Sequence, residues 1–461
     1  MASVIRPRTT PDAEPVGESQ SDATRQVIAR TEPKSLRTYT PTLAVIAKAA
    51  GCYLYTPEGR KLADFTSGVL VANLGHNPTS WWGRLQHYFG HEQPHGSGEF
   101  FAGAPLTAYN AITPLEAQAC ERLLANLRSQ RGGGRMEQVM WSASGSEGVI
   151  KALRVGLAQN PARQMILATR HGFHGKKGLA GAVTGSEQDA ERDPRVRFIG
   201  FPREECSSLE RRRQPLDLTP YKQELDRIHS ELGDQICCLI TEPYLGGGGS
   251  YHPQKEYLQL LESFCRDHGI IFILDEVQSN FGRTGSMYAF TEYGVEPDVV
   301  VLGKGMGNGI PVDAAVGRAD LFAKLNYGEA SDTWSGHPLG CAAVLATLDE
   351  FEEGNVLSHA RGLSEVFAAG LSRLTELPAV AAIRGEGNVW GVQCAAVGNH
   401  SSVDVARSIV RACYDGDAEG RAIHLLGPLS GDVIRVAPPL VMQLDEAIEY
   451  LDAMYGIVKG V

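Results

Sequence analysis

Lys304 stands in Gly303-Lys304-Gly305-Met-Gly307-Asn-Gly309, directly after the apolar run Val299-Val-Val-Leu302. Glycines there let a ligand crowd the backbone, and an amine held away from water loses proton affinity and can attack aldehydes. A second apolar run, Ile270–Leu274, ends in Asp275-Glu276-Val277-Gln278. A carboxylate at the mouth of a buried strand needs a cationic or hydrogen-bonding partner. A protonated pyridine nitrogen is such a partner, and the pairing keeps the ring an electron sink. A helix cap accounts for Asp275 alone but leaves Glu276 and Gln278 unexplained.

Two further run ends carry weaker signals. Val139-Met-Trp141 is followed by Ser142-Ala-Ser-Gly-Ser-Glu147 and a helical pattern. Small residues before a helix N-terminus offer unpaired N–H groups and a favourable dipole to a phosphate; a turn with a serine N-cap explains the same residues. Met165–Thr169 is followed by Arg170-His-Gly-Phe-His-Gly175. An aromatic side chain beside glycines can lie flat on a planar ring, although a packed core aromatic is the commoner use.

The elements that must position these groups are short apolar runs without alternation: Gln138–Trp141, Met165–Ala168, Val196–Phe201, Ile236–Ile240, Ile270–Leu274 and Val299–Leu302. Such runs suit strands covered on both faces, in a mostly parallel sheet between helices. Ligands of open α/β sheets bind beyond the carboxyl ends of the strands, where Lys304, Asp275 and the glycine-serine segments fall. After Ala342 the character changes to long helical pattern over 342–378, strand pattern over Val380–Val392 and Val433–Val436, and a last helix from Leu444. The expected organisation is a flexible arm over 1–35, an N-terminal part of a small domain over 36–75, a large domain over 76–345, and a C-terminal small domain over 346–461.

Composition narrows the function classes. The chain has 461 residues and a formal net charge of −11, with no basic footprint for a nucleic acid. No apolar run approaches the ~20 residues of a membrane helix, and the polar first ~35 residues lack a signal-peptide core. The nine cysteines are scattered without a CxxC spacing, as expected of reduced thiols in a cytoplasmic protein. Dinucleotide, P-loop and hydrolase-elbow motifs are absent. His171 and His174 have no third ligand at metal spacing, so no metal is expected.

Taken together, the strand ends resemble the class III (ornithine/4-aminobutyrate-type) aminotransferases of pyridoxal 5′-phosphate (PLP) fold type I. The likeness runs from about Gly51 to Leu440 and is densest in Asp275-Glu-Val-Gln-Ser-Asn-Phe-Gly-Arg-Thr-Gly285, Pro297-Asp298 and Gly303-Lys304. It implies a large domain with a mostly parallel, seven-stranded-type sheet and a smaller α+β domain from both termini. It implies that Lys304 binds PLP as a Schiff base and carries the proton of the reaction, and that Asp275 pairs with the pyridine nitrogen. Gln278 would bond the ring hydroxyl, Val277 and Phe173 would cover the two ring faces, and Gly145 and Ser146 would hold the phosphate. His174 and Glu242 join the cofactor-binding set by the same resemblance. Thr333, in Asp332-Thr-Trp-Ser-Gly-His-Pro338, would reach the phosphate of a neighbouring subunit, which implies a homodimer or a dimer of dimers. Arg435, in Val433-Ile-Arg-Val-Ala-Pro-Pro-Leu440, would clamp a substrate carboxylate with its planar fork.

The sequence departs from the family pattern in places. Members using glutamate and 2-oxoglutarate carry a second Glu five residues after the Glu of a Glu-Pro motif; here Glu242-Pro243 is present but the later position is Gly247. Gly148 replaces a common alanine and His337 a common asparagine. The expected activity is transfer of an amino group between an amino donor and an oxo-acid acceptor in two half-reactions. Racemisation or an internal amino shift on the same scaffold is the alternative. A non-catalytic binding module would not need Lys304 and Asp275.

Overall fold

The computed structural model describes residues 17–36, 38–90, 100, 102–189, 192–428 and 431–461. The chain divides into two compact units, Thr79–Leu357 and the remainder, Met1–Pro78 with Ser358–Val461. The second break falls beyond residue 345, because Pro338–Glu353 is one uninterrupted helix buried along most of its length.

The smaller unit opens with a helix, Ser19–Thr31, inside the stretch expected to be a flexible arm. Its polar sequence has no apolar face to announce it, and fixed polar contacts hold it instead. Ser21 donates from N and Oγ to the Glu58 carboxylate, each at 2.8 Å. Arg25 pairs with Glu18 and Asp22, both at 2.6 Å. The rest of that arm, residues 1–16, lies outside the described residues. Strands β1 (Lys48–Ala50), β2 (Tyr53–Tyr55) and β3 (Lys61–Asp64) follow in the same unit.

The larger unit is built on seven strands: β4 (Gln138–Ser142), β5 (Met165–Thr169), β6 (Val196–Ile199), β7 (Ile236–Thr241), β8 (Ile271–Asp275), β9 (Val299–Leu302) and β10 (Asp313–Gly317). Their order is β4-β10-β9-β8-β7-β5-β6. All neighbours pair in parallel except β10, which runs antiparallel to both β4 and β9. Every residue of β7, β8 and β9 is buried, which is why their sequences read as unbroken apolar runs. The helix Gly145–Ala158 packs Val149, Ala152, Leu153 and Val155 into the core shared with Ile166, Ile240 and Val301. It lies close on the sheet: a Cβ added at Gly148 would sit 2.9 Å from the Val301 side chain. That contact is the reason alanine is absent at 148.

The smaller unit is completed by β11 (Val380–Glu386), β12 (Val389–Cys394), β13 (Ala422–His424) and β14 (Val433–Val436). One sheet has the order β1-β2-β3-β13 and the other β11-β12-β14. The helix Ser402–Asp415 packs on β12, β13 and β14. Among the described residues no helix is long and apolar enough to cross a membrane.

Candidate active site

The carboxyl ends of the parallel strands gather the sequence-derived candidates on one edge of the large sheet. Ser142 ends β4, Thr169 ends β5, Thr241 ends β7, Asp275 ends β8 and Leu302 ends β9. Because β10 is reversed, its first residue, Asp313, arrives at this same edge, paired with Ser142.

The centre of the edge is a buried hydrogen-bonded pair. His174 Nδ1 lies 2.7 Å from Asp275 Oδ2, with the two side chains 0% and 5% exposed. Asp275 Oδ1 accepts from the Val277 N–H at 3.0 Å, which fixes the carboxylate and sets Val277 beside it. His174 is held in turn by its own N–H, which donates to Thr184 Oγ1 at 2.8 Å. Glu242 Oε2 accepts from the Phe173 N–H at 2.8 Å, and Oε1 from the Gly246 N–H at 3.2 Å. Burial pushes the Glu242 carboxyl up to about 7, with His174 opposing and Asp275 adding to the shift. Phe173 itself is 37% exposed, its ring free to present a face.

Three polar atoms on this edge are buried and have no hydrogen-bond partner among the described residues: His174 Nε2, Gln278 Oε1 and Asp313 Oδ1. Orphaned groups of this kind cost stability unless a ligand satisfies them. The backbone around them is cut back to glycine. A Cβ at Gly246 would meet Gln278 Oε1 at 2.1 Å, one at Gly145 would meet Val277 at 3.0 Å, and one at Gly247 would meet Phe173 Cβ at 2.7 Å. At Gly247, where the family pattern has Glu, the backbone lies directly against Phe173.

The phosphate side is equally prepared. Ser144 caps the helix Gly145–Ala158, its Oγ accepting from the Glu147 N–H at 3.4 Å, while the Glu147 carboxylate accepts from the Ala143 N–H at 3.0 Å. This leaves the Gly145 and Ser146 N–H groups among the first-turn donors that no helix carbonyl takes. Gly175, at φ +137°, brings the following loop against Ser146, where a Cβ would lie 2.4 Å from its Oγ. A planar cofactor with a phosphate, a ring nitrogen and a ring oxygen matches these groups. Gly145 and Ser146 would take the phosphate, Asp275 the nitrogen and Gln278 the oxygen.

Lys304 sits at φ +47°, in the left-handed region that costs a side-chain-bearing residue energy. Such backbone is retained where a neighbouring constraint demands it, as at the end of β9. Glu276, unexplained in the sequence, has a structural role. Fully buried, it accepts from the N–H groups of Ala289 at 2.7 Å and Phe290 at 2.6 Å. It thus caps the helix Ala289–Tyr293, and burial pushes its carboxyl up to about 7.

Thr333 is exposed in a segment anchored through Lys151, whose Nζ donates to Asp332 at 2.7 Å and Ser335 at 2.8 Å. Arg435 belongs to the smaller unit, in β14 opposite Gly391, and is 3% exposed. Sequence reasoning missed Asp313, because Asp-Ala-Ala-Val-Gly is too short and too small-sided to read as a strand. Among the described residues no group of three or more metal-ligating side chains occurs.

Comparison with known proteins identifies the family. Residues 35–458 match the model of the family described as aminotransferase class-III. The chain is 29% identical over 441 residues to the acetylornithine aminotransferase of Gloeobacter violaceus, covering 92% of this chain and 96% of that one. It is likewise 29% identical over 445 residues to the omega-aminotransferase of Caulobacter vibrioides, covering 90% and 93%. Among solved structures, the ornithine aminotransferase of Toxoplasma gondii superposes with a TM-score of 0.78 at 20% identity, over 95% of each chain, which shows the fold alone. An amine transaminase from an uncultivated Pseudomonas species, solved in its PLP-bound form, gives a TM-score of 0.75 at 26% identity over 92% of this chain and 97% of that one. A family match that spans nearly the whole chain, on a sheet whose carboxyl edge is shaped for such a cofactor, shows that the chain belongs to the class-III aminotransferases, PLP-dependent enzymes of fold type I.

Proposed function

We propose that the enzyme moves an amino group from an amino acid or ω-amino compound to an oxo acid in two successive half-reactions, with Lys304 as the residue that binds the cofactor aldehyde. The observation that carries this reading is the buried His174–Asp275 pair, at 2.7 Å, on the same sheet edge as Lys304. Bound there, PLP supplies a ring that withdraws the electrons left on the substrate carbon. Asp275 keeps the ring nitrogen protonated, and His174 keeps Asp275 in place. Lys304 Nζ takes the proton from the substrate carbon as general base and gives it back as general acid. Gln278 orients the ring through its unpartnered Oε1. Val277 and Phe173 cover its faces, while Gly145 and Ser146 bind the phosphate. Glu242 holds Phe173 in position.

Arg435 binds a carboxylate of the substrate, for which a buried guanidinium fork is suited. The active assembly is a homodimer in which the exposed Thr333 serves the phosphate site of the neighbouring subunit. All nine cysteines are free thiols, which favours a reducing, cytoplasmic setting.

The test is an amine-donor screen against pyruvate and 2-oxoglutarate with both products counted. Equal consumption of donor and acceptor is expected. Conversion of a chiral donor to its mirror image without any acceptor would replace this reading by racemisation. Lys304→Ala should end turnover while PLP still binds noncovalently, and full activity in that variant would exclude the role given to Lys304.

A further inference from the structure

Asp313 is a carboxylate in a place where the proposed chemistry makes no use of one. It is 6% exposed, and its Oδ1 has no hydrogen-bond partner among the described residues. The molecule is shaped around that oxygen. A Cβ on Gly303 would lie 1.7 Å from Oδ1 and one on Gly145 3.4 Å from it. Gly303 is extended backbone that any residue could adopt, so the close approach of Asp313, not conformation, is what demands glycine immediately before Lys304. The carboxylate thus lies between the residue preceding Lys304 and the first residue of the phosphate-side helix.

The charged groups that act on it are few. Burial pushes the Asp313 carboxyl well above the usual carboxylate range; Lys304 pulls it back, and Asp275 and Glu147 add to the rise. Lys304 is the one cation among them. A positive charge on Lys304 favours the ionised form of this carboxylate, against the desolvation that opposes it.

We propose that Asp313 is the buried counter-charge of Lys304, a positioning residue that favours the protonated form of the lysine nitrogen, whether free or joined to the cofactor. This rests on the reading of Lys304 given above. The role places a proton on Lys304 Nζ at the stage where it must act as an acid. It also explains why a reversed strand is useful here. The first residue of β10 reaches the site from a paired strand rather than from a loop, so its carboxylate is fixed in direction.

The experiment compares the full-length parent protein with Asp313→Asn, which keeps the shape and removes the charge. In cofactor-free protein, the rate at which Lys304 reacts with an amine-selective acylating reagent is followed against pH by peptide mass spectrometry. An opposite charge nearby raises a lysine's proton affinity, so the midpoint should fall by about one pH unit or more in D313N. In PLP-loaded protein, the pH midpoint of the visible absorption band should move in the same direction, and Asp313→Glu should restore part of the shift. Asp313→Ala reads the same quantities should the asparagine variant not fold. Unchanged midpoints in both forms overturn the proposal while leaving Lys304 as the cofactor lysine. A parent protein that forms no visible band with PLP overturns the reading of Lys304 and this inference with it.

Discussion

The two ends of the large sheet are both rich in charge, yet they are built on opposite principles. At the amino edge Asp298 Oδ1 accepts from Arg135 and Arg318, each at 2.9 Å, and Oδ2 from the Phe272 N–H at 3.0 Å. Arg318 is further paired with Asp320 at 2.7 Å, and Arg163 donates to the carbonyl of Ile236 at 2.9 Å. A cavity of about 730 Å³ opens there, lined by Arg135, Arg163, Phe272, Asp298, Arg318 and Asp320 among others. Size and charge alone would nominate it as the working site. At the carboxyl edge, by contrast, His174 Nε2, Gln278 Oε1 and Asp313 Oδ1 are buried with their bonding capacity unspent. Satisfied charge is architecture; unsatisfied polar atoms beside glycine-stripped backbone mark where a ligand belongs.

That contrast can be broken by experiment. The largest effect is expected from Asp275→Ala, which leaves His174 buried without its partner; kcat should fall at least 100-fold, on the order of 3 kcal/mol. A variant with near-parental kcat would remove Asp275 from the chemistry. Asp298→Ala at the other edge should cost about 3 kcal/mol of stability in denaturant titration, with kcat per folded molecule unchanged; a large loss of kcat would give the amino edge a catalytic part. Gly247→Glu must displace Phe173 and should weaken PLP binding by about 10-fold, as overpacking costs of 1–3 kcal/mol imply. Unchanged affinity would show that Phe173 moves at no cost.

The smallest effect separates the carboxylates within the active edge. Glu276 is pushed up to about 7 in the folded protein from an ordinary 4.5, so the folded state holds a proton that the unfolded state has lost between those values. Its favourable contribution is present below pH 4.5 and is lost as pH rises to about 7, at up to about 1.4 kcal/mol per pH unit. Glu276→Gln should lose that slope in unfolding experiments, and a variant with the parental slope would contradict the shift. Glu242 obeys the same sign.

Much of the edge was legible because each strand behind it is an unbroken apolar run, so the residue after each run is easy to find. Lys304, Asp275, Gln278 and Gly145 were located in this way. What escaped notice lacks such a marker. The strand β10 is Asp-Ala-Ala-Val-Gly, whose small side chains suit a position hydrogen-bonded on both sides but carry little hydrophobic signal. The helix Ser19–Thr31 is held by Glu58 and the Leu43 carbonyl through polar contacts far apart in sequence, which no local pattern encodes. Glu276 stayed unexplained because its partners, the N–H groups of Ala289 and Phe290, lie more than a dozen residues further along the chain. The role of Gly247 needed the third dimension, since Phe173 is far from it along the chain.

The left-handed backbone of Lys304 has an evolutionary reading. Glycine would occupy φ +47° without penalty, so at this position the fold and the reaction want different residues. A descendant released from catalysis would gain stability by exchanging Lys304 for glycine. On the role proposed for Lys304, the left-handed backbone is a stability cost that the reaction imposes on the fold.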